Sequence, residues 1–178
     1  MSRSNAQALK VIEDNDNDMP VVTPLLIKKI GIIGAGQMGG GITQVCAQSG
    51  YDVTLADISD DILERSVKGI AARLKRQVDR DRLSQEDADA VIANIETTTD
   101  YASFADCDLL IEAATENETI KSKIFADVTP SLRPDTILAT NTSSISITRL
   151  AAATDRPQKF MGLHFMNPVP AMELVELI

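Results

Sequence analysis

Apolar residues along this chain fall into two patterns. Short, mostly apolar runs occur at 29–33, 52–56, 108–113, 136–140 and 160–165, the first with β-branched residues, with a mixed run at 96–99 and a last one at 172–178. Such runs are what buried, mainly parallel strands look like. Between them lie stretches in which apolar residues recur every third or fourth position, the helical period. One helix is predicted from near Gln37. A longer one, capped by Ser59 or Asp60, runs to about Arg82 with Leu63, Val67, Ile70, Leu74 and Val78 on one stripe. Ser84 with Asp87 makes a capping-box start for the next, to about Ile95. Ile120, Ile124, Phe125 and Val128 form the apolar face of a helix from Asn117 to about Leu132, and a short helix is predicted from about Ser146. Strand and helix alternate, which predicts an α/β fold with a doubly wound, mainly parallel sheet. The pair of helices over 59–95 is a hairpin inserted between the second and third strands.

The first turn of this scheme carries chemistry. Gly34, Ala35, Gly36, Gln37, Met38 and Gly39 read G-x-G-x-x-G at the end of the first strand. Gly34 suits the tight turn, Gly36 leaves room for a pyrophosphate, and Gly39 lets the next helix pack close. That helix aims its free N–H groups and positive dipole end at phosphate. Asp57 ends the second strand, where a carboxylate accepts both ribose hydroxyls and repels a 2′-phosphate. The pattern predicts a Rossmann-type site for NAD in preference to NADP. Ligands in such sheets sit beyond the strands' C-terminal ends. Gly34, Asp57, Glu116, Asn141, Ser143 and His164 all fall there and are expected to share one cleft.

Composition narrows the picture. The 178 residues suit one domain, expected over 27–178, and 44% hydrophobic content is that of a globular protein. Residues 1–26 are polar, acidic near Glu13 to Asp18 and broken by Pro20 and Pro24, which predicts a disordered tail. They lack the apolar core of a signal peptide and the Arg-rich make-up of a transit peptide. A net charge of −9 argues against nucleic acid or an anionic membrane as partner. No apolar run has the length to cross a bilayer. Cys46 and Cys107 sit in apolar company and read as buried free thiols, which places the chain in the reducing cytoplasm. Against the overall charge, 65–82 holds seven basic residues and two acids, a local +5. Arg65, Arg73, Arg76 and Arg80 share an arc roughly opposite the apolar stripe, a candidate landing strip for a phosphorylated ligand. The single histidine, His164, suits general base work. Glu176, in the adjoining strand, can hold its tautomer.

At NTSSISI followed by GLHFMNPVPAMELVELI the chain resembles the 3-hydroxyacyl-CoA dehydrogenases, and within them the monofunctional 3-hydroxybutyryl-CoA type. The resemblance runs over about 28–178 and takes in GAGQMG, the helical hairpin and IEAATEN. It implies NAD-dependent interconversion of (S)-3-hydroxyacyl-CoA and 3-ketoacyl-CoA. It further implies His164 as the base, Glu176 as its orienting partner, and Ser143 as hydrogen-bond partner of the substrate oxygen near the nicotinamide. Ser144 is left to cap the following helix. Glu116, Lys121 and Asn167 are implied around the nicotinamide half of the cofactor, Asn141 among the cofactor-binding residues, and Arg73 and Arg80 against coenzyme A. An all-helical second domain, which completes the substrate site and forms a homodimer in this family, is expected beyond Ile178. Two rival readings remain: a related dehydrogenase of a free hydroxy or sugar acid, and an NAD-binding module without turnover.

Overall fold

The computed structural model describes the backbone at 9–13 and from residue 21 onward, and side chains from residue 26 onward. Two strands, β1 (Leu9–Glu13) and β2 (Val21–Leu25), pair antiparallel as a small sheet of their own, with Leu9 opposite Leu25 and Glu13 opposite Val21. This departs from the disordered tail expected over 1–26. Both segments are rich in β-branched residues, which suit strands. The rest of that expectation lies outside the described residues.

The main sheet has seven strands: β3 (Lys29–Ile33), β4 (Asp52–Ala56), β5 (Ile95–Thr98), β6 (Leu109–Glu112), β7 (Ile137–Thr140), β8 (Phe160–Phe165) and β9 (Val175–Leu177). Their order is β5-β4-β3-β6-β7-β8-β9. All pairs are parallel except the last, where β9 returns antiparallel to β8. The chain therefore builds outward from β3 to β5, then comes back to lay β6 on the other side of β3. Helices flanking neighbouring strands diverge at that reversal and leave a crevice at the strands' C-terminal ends.

Among the described residues five α-helices cover the sheet: α1 (Gln37–Gln48), α2 (Asp60–Val78), α3 (Gln85–Ala93), α4 (Glu118–Val128) and α5 (Ile147–Ala152). On one face Ile42 of α1 and Leu63, Ile70 and Leu74 of α2 bury themselves against Ile32 and Leu55. On the other, Phe125 and Val128 of α4 close over Ile33, Leu110 and Leu138 with Phe104. Of the stripe expected on α2, Val67 and Val78 are only half-buried. That helix stops at Val78, short of Arg82, and Asp81 just beyond it turns left-handed at φ 55°. α4 gives way before Leu132 to a tighter turn, Thr129–Ser131, that contains Pro130. Ser84 caps α3 as expected, its Oγ accepting from the Asp87 amide at 2.9 Å and donating to the Asp87 carboxylate at 2.7 Å.

Candidate functional site

The glycine turn has the conformation its chemistry requires. Gly34 adopts φ 102°, a region closed to most side chains, and a Cβ on Gly39 would sit 1.7 Å from the Gly34 carbonyl oxygen. A Cβ on Gly36 would meet only open space, so this position faces the crevice. Gly36 also stands at the N-cap of α1, where no side chain accepts from the helix. The first-turn N–H groups thus stay free for an anion. This open, donor-lined turn fits a dinucleotide pyrophosphate.

Asp57 stands at the end of β4 beside the turn. Its Oδ2 accepts from the Ala35 amide at 2.6 Å and its Oδ1 from the Ile58 amide at 2.7 Å. The carboxylate therefore braces the glycine turn, a duty its position alone did not disclose, and keeps further lone pairs free to accept. A cleft of about 720 Å³ runs past Gly36, Asp57, Ile58, Tyr101 and Ile120. Ile58 is 89% exposed and Ile120 45%, an apolar lining suited to the flat face of a base.

A second cavity, of about 310 Å³, meets the first at Met38, Ala113 and Ala114. It gathers Glu116, Lys121, Asn141, Ser143, His164 and Asn167 from the ends of separate elements. The β8–β9 register puts His164 opposite Glu176, and Nδ1 of the imidazole lies 2.8 Å from Glu176 Oε2. With Nδ1–H donating to the carboxylate, Nε2 is left as the basic nitrogen. Asn141 Oδ1 accepts from the Phe165 amide at 2.8 Å and so holds the end of β8 to the end of β7. Asn167 Oδ1 accepts from Gln37 Nε2 at 3.0 Å, joining the β8–β9 turn to the start of α1.

Glu116 organises the loop that carries Ser143. Its Oε1 accepts from the amides of Ser143 and Ser144 at 3.1 and 3.2 Å, from Ser144 Oγ at 3.0 Å, and from the Thr142 hydroxyl. Burial pushes this carboxyl up, but the Thr142 and Ser144 hydroxyls, the Lys121 charge and the Ser143 amide together hold it below 4.5. Ser144 is thus committed to Glu116 and does not cap α5. Ser146 does, accepting from the Arg149 amide at 3.4 Å. The Ser143 backbone is anchored, and the residue lines the cavity.

Two features depart from expectation. Lys121 is 1% exposed, and its ammonium bonds both oxygens of Glu112 at 2.8 Å, with Glu116 Oε2 at 3.6 Å. Glu112 was missed by sequence reasoning; the one signal was a carboxylate closing an otherwise apolar strand. Arg73 does not lie opposite the apolar stripe. It is half-buried on the flank of α2, where Nε donates to Gln44 Oε1 at 2.6 Å, across from α1. A groove of about 370 Å³ between α1 and α2 takes in Arg65, Ser66, Gly69 and Arg73 next to Gly36. Arg80 is exposed in the turn just past the end of α2, outside that groove. Among the described residues no helix is long and apolar enough to cross a membrane, and no group of His, Cys, Asp and Glu could hold a metal ion.

The strand reversal, the glycine turn and the carboxylate that ends β4 define a dinucleotide-binding domain of the doubly wound class. Residues 29–178 match the family described as 3-hydroxyacyl-CoA dehydrogenase, NAD binding domain. The chain belongs to that family. It is 52% identical over 153 residues to a 3-hydroxybutyryl-CoA dehydrogenase of Bradyrhizobium diazoefficiens, covering 86% of this chain and 52% of the relative. A probable 3-hydroxybutyryl-CoA dehydrogenase of Deinococcus radiodurans is 49% identical over 84% of this chain and 54% of its own length. The crystal structure of the (S)-3-hydroxybutyryl-CoA dehydrogenase PaaH1 from Ralstonia eutropha superposes with a TM-score of 0.84 at 45% identity, covering 85% of this chain and 54% of that one. The chain spans about half the length of these relatives.

Proposed function

We propose that this chain is the cofactor-binding half of an NAD-dependent dehydrogenase interconverting (S)-3-hydroxyacyl-CoA, in particular 3-hydroxybutyryl-CoA, and 3-ketoacyl-CoA. The observation that carries the reading is the His164–Glu176 pair at 2.8 Å, opening onto a cavity that adjoins the dinucleotide cleft. NAD, when bound, supplies the hydride acceptor or donor. His164 Nε2 takes the hydroxyl proton in oxidation and returns it in reduction, while Glu176 keeps Nδ1–H in place and stabilises the imidazolium. The Ser143 hydroxyl, on a loop held by Glu116, donates to the substrate oxygen. Lys121 and Glu116 present a donor and an acceptor side by side, a pairing suited to a sugar diol. Arg73 on the basic helix and Arg80 just past its end favour a coenzyme A ester over a free hydroxy acid. The remaining half of the relatives' length is proposed to complete the acyl site and the homodimer. Two buried free thiols fit a cytoplasmic setting.

The test joins this chain to a second half of the relatives' length and follows NADH oxidation with 3-ketobutyryl-CoA and with free 3-ketobutyrate. The ester is expected to react far faster. His164→Gln should lower kcat by about 10²–10⁴-fold, the usual range for a general base, with NADH affinity nearly unchanged. The 178-residue chain alone should bind NADH yet turn over very slowly, because part of the grip on substrate is supplied from outside it. Equal rates on the free acid would favour the rival reading.

A further inference from the structure

Glu112 is a buried charge that the chemistry above does not use. It ends β6 at 0% exposure, and three donor groups make four hydrogen bonds to its two oxygens: Lys121 Nζ to each at 2.8 Å, Thr140 Oγ1 to Oε2 at 2.6 Å and the Ala114 amide to Oε1 at 2.7 Å. A carboxylate has about four lone-pair sites, so Glu112 has none left for a ligand. Its effect must pass through what it holds. Lys121 has three N–H donors; Glu112 takes two, and the third remains on the side of Glu116 Oε2 and the cavity. A lysine stem has four rotatable bonds, and this one would wander unless its head were pinned. Stability alone is a poor reason for such a pair, since apolar residues of similar volume usually do as well. The other donors come from the site's own framework. Thr140 immediately precedes Asn141, and Ala114 lines both cavities.

We infer that Glu112 is a positioning residue: it fixes the Lys121 ammonium so that its free N–H meets the nicotinamide-side half of the dinucleotide and Glu116 stays on the Ser143 loop. The inference rests on reading the smaller cavity as the nicotinamide side. Without the Glu112 charge, Lys121 turns to Glu116 as its only nearby counter-charge and draws it from the Ser143 and Ser144 amides.

Titration of the 178-residue chain with NADH and with ADP tests this, because ADP fills the adenosine and phosphate end only. Glu112→Gln is expected to raise the Kd for NADH about tenfold, the scale of one charge-assisted hydrogen bond, and that for ADP by less than about twofold. Adding Lys121→Met removes the unpaired buried charge and should restore the melting temperature without restoring NADH affinity. Should Glu112→Gln fail to fold, Thr140→Val carries the test, with an expected loss of about threefold for NADH and none for ADP. NADH affinity unchanged, NADH and ADP weakened alike, or NADH affinity recovered in the double variant would each overturn the proposal. An unsubstituted chain that binds ADP and NADH equally well would instead overturn the reading of the cavity beneath it.

Discussion

Asp57 shows how much one side chain can carry. It braces the glycine turn through the Ala35 amide and is proposed to read the ribose. The two roles separate by substitution. Asp57→Asn keeps an acceptor for Ala35 but loses the charge, so the preference for NADH over NADPH should fall by about tenfold or more with little change in melting temperature. Asp57→Ala should lose NADH affinity and stability together. Calorimetric titration with both nucleotides checks this, and an undiminished preference in Asp57→Asn would remove the carboxylate from its ribose role. The two thiols make a different point. Burial pushes Cys46 and Cys107 from 9.0 up to about 12. A folded-state value above the unfolded one means that the stability they contribute is whole below about 9 and is lost as pH climbs toward 12. Near neutral pH neither should react with a thiol reagent until denaturant is added, and the denaturation midpoint should drop across that alkaline window. At this scale the sequence disclosed residues whose type and motif coincide, such as His164 and Asp57. It hid Glu112, because nothing local says that a strand-end carboxylate will meet a lysine nine residues on.

At the scale of elements, the starts were legible and the ends were not. Ser84 and Asn117 cap α3 and α4 through their own side chains, a local signal. The end of α2 depends on Asp81 entering a left-handed turn, which no periodicity foretells. Packing between elements was equally out of sight. A Cβ on Gly41 of α1 would lie 2.8 Å from Val169 Cβ, so the turn Val169–Ala171 between β8 and β9 rests directly on the cofactor helix. Gly41→Ala is expected to cost about 1–3 kcal/mol by overpacking. Val169→Gly in the same chain removes the Cβ that clashes and should recover part of it, because the two positions share one contact. Chemical denaturation of the single and double variants decides; simple additivity would show that the turn does not bear on α1 there.

At the scale of the whole molecule, the sheet class and the gathering of site residues at one end were legible from alternation alone. The arc of arginines was less so, since a helical wheel cannot say which flank will lie against a neighbouring helix. Arg73 is tied to Gln44, whereas Arg80 is free at the surface. Charge reversal at Arg80 in a protein of the relatives' full length should therefore raise KM for the CoA ester severalfold with kcat nearly unchanged. Arg73→Glu should also disturb the α1–α2 contact. The same KM on a substrate lacking the nucleotide, or no rise at all, would return Arg80 to a solvated surface role. The strand order, finally, is a schedule as well as a shape. The glycine turn, Asp57 and the three strands around them come from the contiguous stretch 29–98, whereas β6 must reach back to lie beside β3 before the second cavity has walls. Short-range pairings close sooner than long-range ones. As the chain collapses, the glycine turn and Asp57 are expected to come together first, and the Ile120 wall of the larger cleft and the chamber around His164 to close later.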